Sequence, residues 1–271
     1  MARFIAWTIG LLMLTCGAAF AAVSNDLYQA QTIVTGQREE TRLPALGQCL
    51  LDVLIKVSGD PKIADDPTAA ALTSKVATYL RSFRYRDLLE GIPIHDEQGT
   101  RDRPYQLTAD FDPSKVNGAL LSLGRTPWLG KRPRVAVFLA VHLDTGAYLL
   151  AADGHRGQDQ RDALAAAAWK FGVPIVLPAQ QFLEEKSISV DGLPSSDPAG
   201  LDAAAKAADG DVALLGSLTW STDNLGWIAD WRLSSRPRPR EWQIRGVSFD
   251  EAFRNAMSHT LFYLSVNREV N

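Results

Sequence analysis

The sequence predicts a protein of mixed α+β / α/β class in two domains, and three stretches carry that prediction. Pro133 to Val141 is an apolar run rich in β-branched residues, broken only by Arg134, as expected of a strand buried on both faces. Asp-Pro pairs at 66–67, 112–113 and 197–198 each open a run with helical apolar spacing. There the carboxylate can accept an orphan N–H while the proline presets φ. From Gly226 to Arg245, Trp227, Ala229, Trp231, Leu233, Trp242 and Ile244 alternate with Ile228, Asp230, Arg232, Glu241, Gln243 and Arg245, the pattern of half-buried antiparallel strands.

With 46% hydrophobic and 22% charged residues in 271, the chain can bury a substantial core in one large or two ordinary domains. The first residues follow the order of a secretory signal peptide: Arg3, an apolar run from Phe4 to Cys16, then small residues ending in Ala19-Phe20-Ala21. Residues 1–21 are therefore expected to be removed after Ala21, which places the mature chain in the periplasm. A lipid anchor on Cys16 is the competing reading, and Thr15 before it is a poor match to the small residue such a signal wants. Loss of Cys16 would leave Cys49 alone, on an apolar helical face, as a buried inert thiol. The 28 basic and 31 acidic residues give a formal charge of −3 with no long block of one sign, so nucleic acid is not an expected partner. No second apolar stretch approaches the length of a membrane span.

The first domain is expected over residues 22–126 with the order β-α-α-β-β-α. Leu27 to Val34 reads as a strand. Arg42 to Val57 reads as a helix capped by Thr41, with Pro44 in its first turn and Gly59 past its end. The helix after Asp66 carries Leu72, Val76, Tyr79 and Leu80. Short alternating segments, Ser82–Arg86 and Tyr105–Phe111, suit a small antiparallel sheet, and the helix after Asp112 stops at Gly124. Residues 127–132, turn-rich and without period, form the linker, with Trp128 as a buried peg between domains.

The second domain, 133–271, is expected to be a mixed sheet with the order β-α-β-α-β-β-β-α. A helix from Gly157 to Phe171 and a strand at 173–178 follow the central strand, which predicts a crossover with parallel strands. Next come the helix after Asp197, stopped by Gly210, and a strand from Val212 to Thr219. A hairpin turns at Asp223-Asn224-Leu225-Gly226, and a final helix starts in a Ser248…Glu251 capping box and carries Phe253, Met257, Thr260, Leu261 and Leu264 inward.

No nucleophile elbow, zinc-protease motif, nucleotide loop or Cys-x-x-Cys pair occurs, so no catalytic residue, cofactor or metal is assigned. The best candidate ligand position is the C-terminal end of the central strand, where open parallel sheets bind ligands. His142 and Asp144 lie there, and His155, Arg156 and Arg161 sit near the start of the following helix, which could hold an anion. A solvated, turn-rich loop explains the same residues more simply. Arg236, Arg238 and Arg240 alternate with prolines and could present guanidinium groups to a partner from a stiff loop. The concentration of Trp220, Trp227, Trp231 and Trp242 fits either an aromatic surface or, by the alternation, a core face. His259 reads as a boundary histidine.

Ala45-Leu46 through Leu54-Ile55-Lys56-Val57-Ser58-Gly59, Phe83-Arg84-Tyr85, Phe111-Asp112-Pro113, Pro127-Trp128 and Arg132-Pro133, with the leader and the Trp-rich end, resemble the proteobacterial exported domain of unknown function 2066 family over most of the mature chain. More distantly, Asp209-Gly210-Asp211-Val212 through Gly216 leading into the hairpins is similar to the N-terminal domain of the Tol system's periplasmic translocation protein and to lipoproteins that activate penicillin-binding proteins. The 2066 resemblance carries no activity over, and the more distant one is to interaction modules. The expected function is a protein–protein interaction or assembly module that docks on an envelope protein without chemistry of its own; a small-ligand or anion-binding protein, or an unusual hydrolase using the C-terminal end of the central strand, is the alternative.

Overall fold

The computed structural model describes residues 27–92, 95–96, 99–100, 102–193, 198–223, 225–234 and 239–267. The expected leader with Cys16, the Asp197 cap, Asn224, and Arg236 and Arg238 lie outside them. In the first lobe, β1 (Gln29–Thr35), β5 (Pro104–Phe111) and β2 (Leu80–Asp87) form an antiparallel sheet in the order β1-β5-β2, with the two-residue strands β3 (His95–Asp96) and β4 (Gly99–Thr100) paired apart. Helices α1 (Glu39–Ser58), α2 (Pro67–Thr73) and α3 (Pro113–Ser122) complete it. Asp66 accepts from Thr68 N–H, and Asp112 from Ser114 and Lys115 N–H, so both prolines sit in first turns as their sequence suggests. Helix α1 starts earlier than expected. Arg38 occupies its N-cap, and the Thr41 hydroxyl donates to the Arg38 carbonyl inside the first turn instead of capping. Its other end is as expected, with Gly59 left-handed at φ 79 and its N–H returned to Ile55.

The second lobe is built on β6 (Val135–Leu143), buried from Val135 to Val141. One flank pairs in parallel with β9 (Val212–Ser221), which continues antiparallel through β10 (Gly226–Leu233) to β11 (Arg240–Val247). The other flank is shared by two short strands. β8 (Ile175–Val176) pairs in parallel with Val135 and Ala136, and β7 (Gly146–Leu149) pairs antiparallel with Ala140 to Leu143. The crossover through α4 (Gln158–Phe171) was expected; the β6–β7 hairpin was not. Its strand has only four residues, Gly146-Ala147-Tyr148-Leu149, with no apolar alternation to mark it. Helix α5 is Gln180–Glu185, α6 is Pro198–Ala207 and α7 is Phe249–Asn267. After α6 the left-handed turn falls on Asp209, φ 62, rather than on Gly210, whose N–H closes onto the Ala205 carbonyl.

The two faces of this sheet are covered unequally. Val137, Leu139, Leu214, Leu218, Ala229 and Trp231 face α4 and α7 in the main core, whereas Phe138, Ala140, Ala213 and Leu215 pack beneath α6 and the 183–193 segment. That second cover stops short of β10 and β11. The main core runs on into the first lobe, because Leu46, Leu50, Val53 and Leu54 of α1 belong to the same cluster. The stretch between the lobes, irregular in backbone, is tied down at both ends. Trp128, 6% exposed, donates its N–H to Val57 C=O, and Arg132 lies across the Trp128 ring at 4.7 Å while its guanidinium donates to the carbonyls of Lys56, Phe171 and Gly172. The buried Lys56 ammonium donates to Gln29 C=O at 2.8 Å and sits 4.0 Å above the Trp169 ring, and Lys170 pairs with buried Asp52. Cys49 lies in this interior. Burial first, and then the Asp52 carboxylate, push its thiol up to about 12, so it stays protonated and inert. None of the described helices is long and apolar enough to cross a membrane.

Candidate functional site

At the C-terminal end of β6, His142 is half-buried opposite Ala147 and Thr219, and Asp144 is exposed in the turn to β7. His155 and Arg156 are exposed in the loop that leads to α4. The structure brings together Arg156, Arg161 and a residue the sequence did not single out, Tyr148. The Arg156 guanidinium stacks 4.3 Å from the Tyr148 ring, and Arg161 donates to the Ala151 and Arg156 carbonyls and to Gln158 Oε1. Burial pushes the Tyr148 phenol up, against the opposing pull of Arg156 and then Arg161. Both arginines thus brace the loop that holds them. No hydrogen bond or ion pair among the described residues joins His142, Asp144 or His155 to them, and no group of three or more His, Cys, Asp or Glu among the described residues lies together as a metal would require.

On the Trp-rich strands the alternation assigns faces correctly. Trp227 and Trp231 are 8% and 2% exposed, and their rings meet Phe249 and Phe253 of α7 edge-on. Trp231 crosses its register partner Gly216, where a Cβ would stand 2.3 Å from the indole, so only glycine permits the crossing. Trp242 departs from expectation. It pairs directly with Trp231 but lies on the edge strand, only partly buried, with its Nε1–H donated to Asn255 Oδ1 at 3.1 Å.

Around Trp242 the structure assembles an aromatic corner. The His259 ring stacks on Trp242 at 5.3 Å and 13° from parallel, and Tyr263 packs 5.8 Å from the same indole, beside Phe262. Cations flank it on both sides. Arg240, exposed at the start of β11, lies 5.5 Å from the Tyr263 ring, and Lys62, from the first lobe, lies 5.4 Å from Phe262. Pro61, Lys62, Ser258, His259, Phe262 and Tyr263 line a cleft of about 240 Å³ there. Partial burial holds the His259 imidazole below its ordinary value. Phe262 and Tyr263 sit off the Phe253, Met257, Leu261, Leu264 stripe that α7 buries, and two aromatics off a helix's apolar stripe are the signal that could have found this corner. Lys62 is remote in sequence, and nothing local marks it.

A larger cleft of about 440 Å³ lies on the opposite face of β10 and β11, where the second cover stops, lined in part by Leu193, Leu215, Asp230, Arg232 and Glu241. Its charges answer one another: Arg232 pairs with Glu241 at 2.7 Å, Gln243 donates to Asp230, and Arg245 to Gln243. That is a self-satisfied, solvated strand face.

A family model described as a domain of unknown function (DUF8605) matches residues 21–129, a span that takes in the first lobe and ends just past the Trp128 peg. No curated protein matches the chain. What the chain is similar to is therefore a domain of unknown function, under a different description from the 2066 family suggested by its motifs.

Proposed function

We propose that this chain is an exported, non-catalytic module that docks on a protein of the cell envelope through the aromatic corner of α7 and β11. The observation that carries this reading is the set of aromatic side chains left half-exposed beside cations at the outer strand of the sheet: Trp242, His259, Phe262 and Tyr263, with Arg240 and Lys62 at their flanks. Aromatic and arginine side chains supply most of the energy at protein interfaces, since they bury large area with few rotors to freeze. Arg240 is also the described member of the Arg236, Arg238, Arg240 set, and its own charge adjoins the aromatic patch. Export rests on the leader ending at Ala21, and an envelope partner on the distant resemblance of the second lobe to the Tol-type modules.

A photo-crosslinking side chain at Phe262, in the mature chain secreted with its own leader, tests the reading. The expected result is one discrete adduct from position 262 and none from the same group at Asp144. An adduct from 144 alone would move the function to the end of β6 and favour the ligand-binding alternative.

A further inference from the structure

The three-stranded sheet ends on β2, whose outer side pairs with no other described strand. Register decides which of its backbone groups face outward. Leu88 donates its N–H to Pro104 C=O, and β2 continues in step with β5 from Asp87 opposite Tyr105 back to Ser82 opposite Asp110. Ser82, Arg84 and Arg86 therefore use their amides and carbonyls on β5, and by alternation those of Phe83, Tyr85 and Asp87 point away from the sheet. The side chains along this open edge are largely cationic. Arg81, Arg84 and Arg86 are exposed, and Arg42 lies 5.0 Å from the ring of Phe83, itself 40% exposed. The two carboxylates at hand are already answered, Asp110 by Arg84 at 3.2 Å and Asp87 by Arg103 at 2.9 Å.

We infer that the open edge of β2 takes up an acidic, extended segment of a partner protein as a fourth strand. Main-chain hydrogen bonds to Phe83, Tyr85 and Asp87 give such a strand its register, and Arg81, Arg86 and Arg42 select its charge. A second copy of β2 is a poor occupant, because antiparallel pairing of two such strands sets arginine against arginine. Cationic edges also serve simply to prevent aggregation, and that role accounts for the same residues without any partner. The two roles differ in one respect: only a docking edge gains order when an acidic strand is offered. This inference is independent of the aromatic corner, which lies on the other lobe's last strand and helix.

The test uses the whole mature chain and a short labelled peptide alternating valine and glutamate, with its lysine-for-glutamate counterpart as control, read by fluorescence anisotropy and amide hydrogen exchange. The expected result is binding of the glutamate peptide alone, weakening as salt rises, with new protection at Phe83, Tyr85 and Asp87. Arg81→Glu combined with Arg86→Glu should weaken binding about tenfold at an unchanged melting midpoint, the scale of two exposed charge pairs. Phe83→Pro, which removes an outward N–H that β5 does not use, should weaken it as well. Absence of binding, equal binding of the lysine peptide, protection at β11 instead of β2, or native affinity in the double variant would each overturn the inference while leaving the aromatic corner untouched.

Discussion

Trp231 and Trp242 face each other across one rung of the same sheet and point to the same side, yet one is 2% exposed and the other only half-buried. The difference lies in what stands on either flank. Trp231 has β9 beside it, with Gly216 leaving room for its ring, and Phe253 above it; Trp242 has β10 on one flank and no described strand on the other. Alternation in sequence decides which face a side chain joins, and rank in the sheet decides how deep it lies. An inner tryptophan therefore holds the fold, and an edge tryptophan contributes less to it.

The largest effect that could break this comparison is Trp231→Ala. It should destabilise the protein by about 3–5 kcal/mol, seen as a lower denaturation midpoint, because the cavity lies between a strand and α7 that cannot both close on it. The indole N–H of Trp231 is buried without a hydrogen-bond partner among the described residues, so Trp231→Phe should cost much less than the alanine change. Trp242→Ala should lose about 1–2 kcal/mol, in keeping with half the burial and one hydrogen bond to Asn255. Equal losses from the two alanine variants would refute the distinction between inner and edge positions.

A smaller effect concerns pH. Burial lowers the folded pKa of His259 beneath its unfolded value near 6.5, so on acidification the unfolded chain takes up a proton before the folded one does. The stability this group contributes is complete above about pH 6.5 and declines as pH falls through the window below it. Melting midpoints of native protein and His259→Asn, compared from neutral to mildly acidic pH, should converge as pH drops. Parallel curves would mean that the stacked imidazole is as free to protonate as in the unfolded chain.

Much of the fold was legible because it follows local rules. The Asp66 and Asp112 caps, the Gly59 terminator, the doubly buried β6 and the inward face of β10 were each readable from a few residues. What escaped depended on contacts distant in sequence. The strand β7 exists because β6 offers it an edge, Trp242 is half-buried on β11, the last strand in the described sheet order, and Lys62 reaches the aromatic corner from the other lobe. Of the candidate ligand residues, Arg156 and Arg161 brace their own loop, and of the candidate partner-binding arginines Arg240 adjoins the aromatic corner. Phe262 and Tyr263, which complete that corner, were visible in the sequence only as aromatics off the apolar stripe of α7.

The central claim is that the corner binds a partner without holding the fold together, and Arg240→Glu addresses both halves at once. Arg240 is exposed and touches only the Tyr263 ring among the rings described, so reversing its charge should change stability by less than about 0.5 kcal/mol. The measurement is capture of the partner proposed above by the tagged chain, made on samples whose melting midpoints are recorded alongside. The account predicts an unchanged midpoint with the partner lost from Arg240→Glu and retained by Arg156→Glu. Retention of the partner by Arg240→Glu, at a native midpoint, would contradict it.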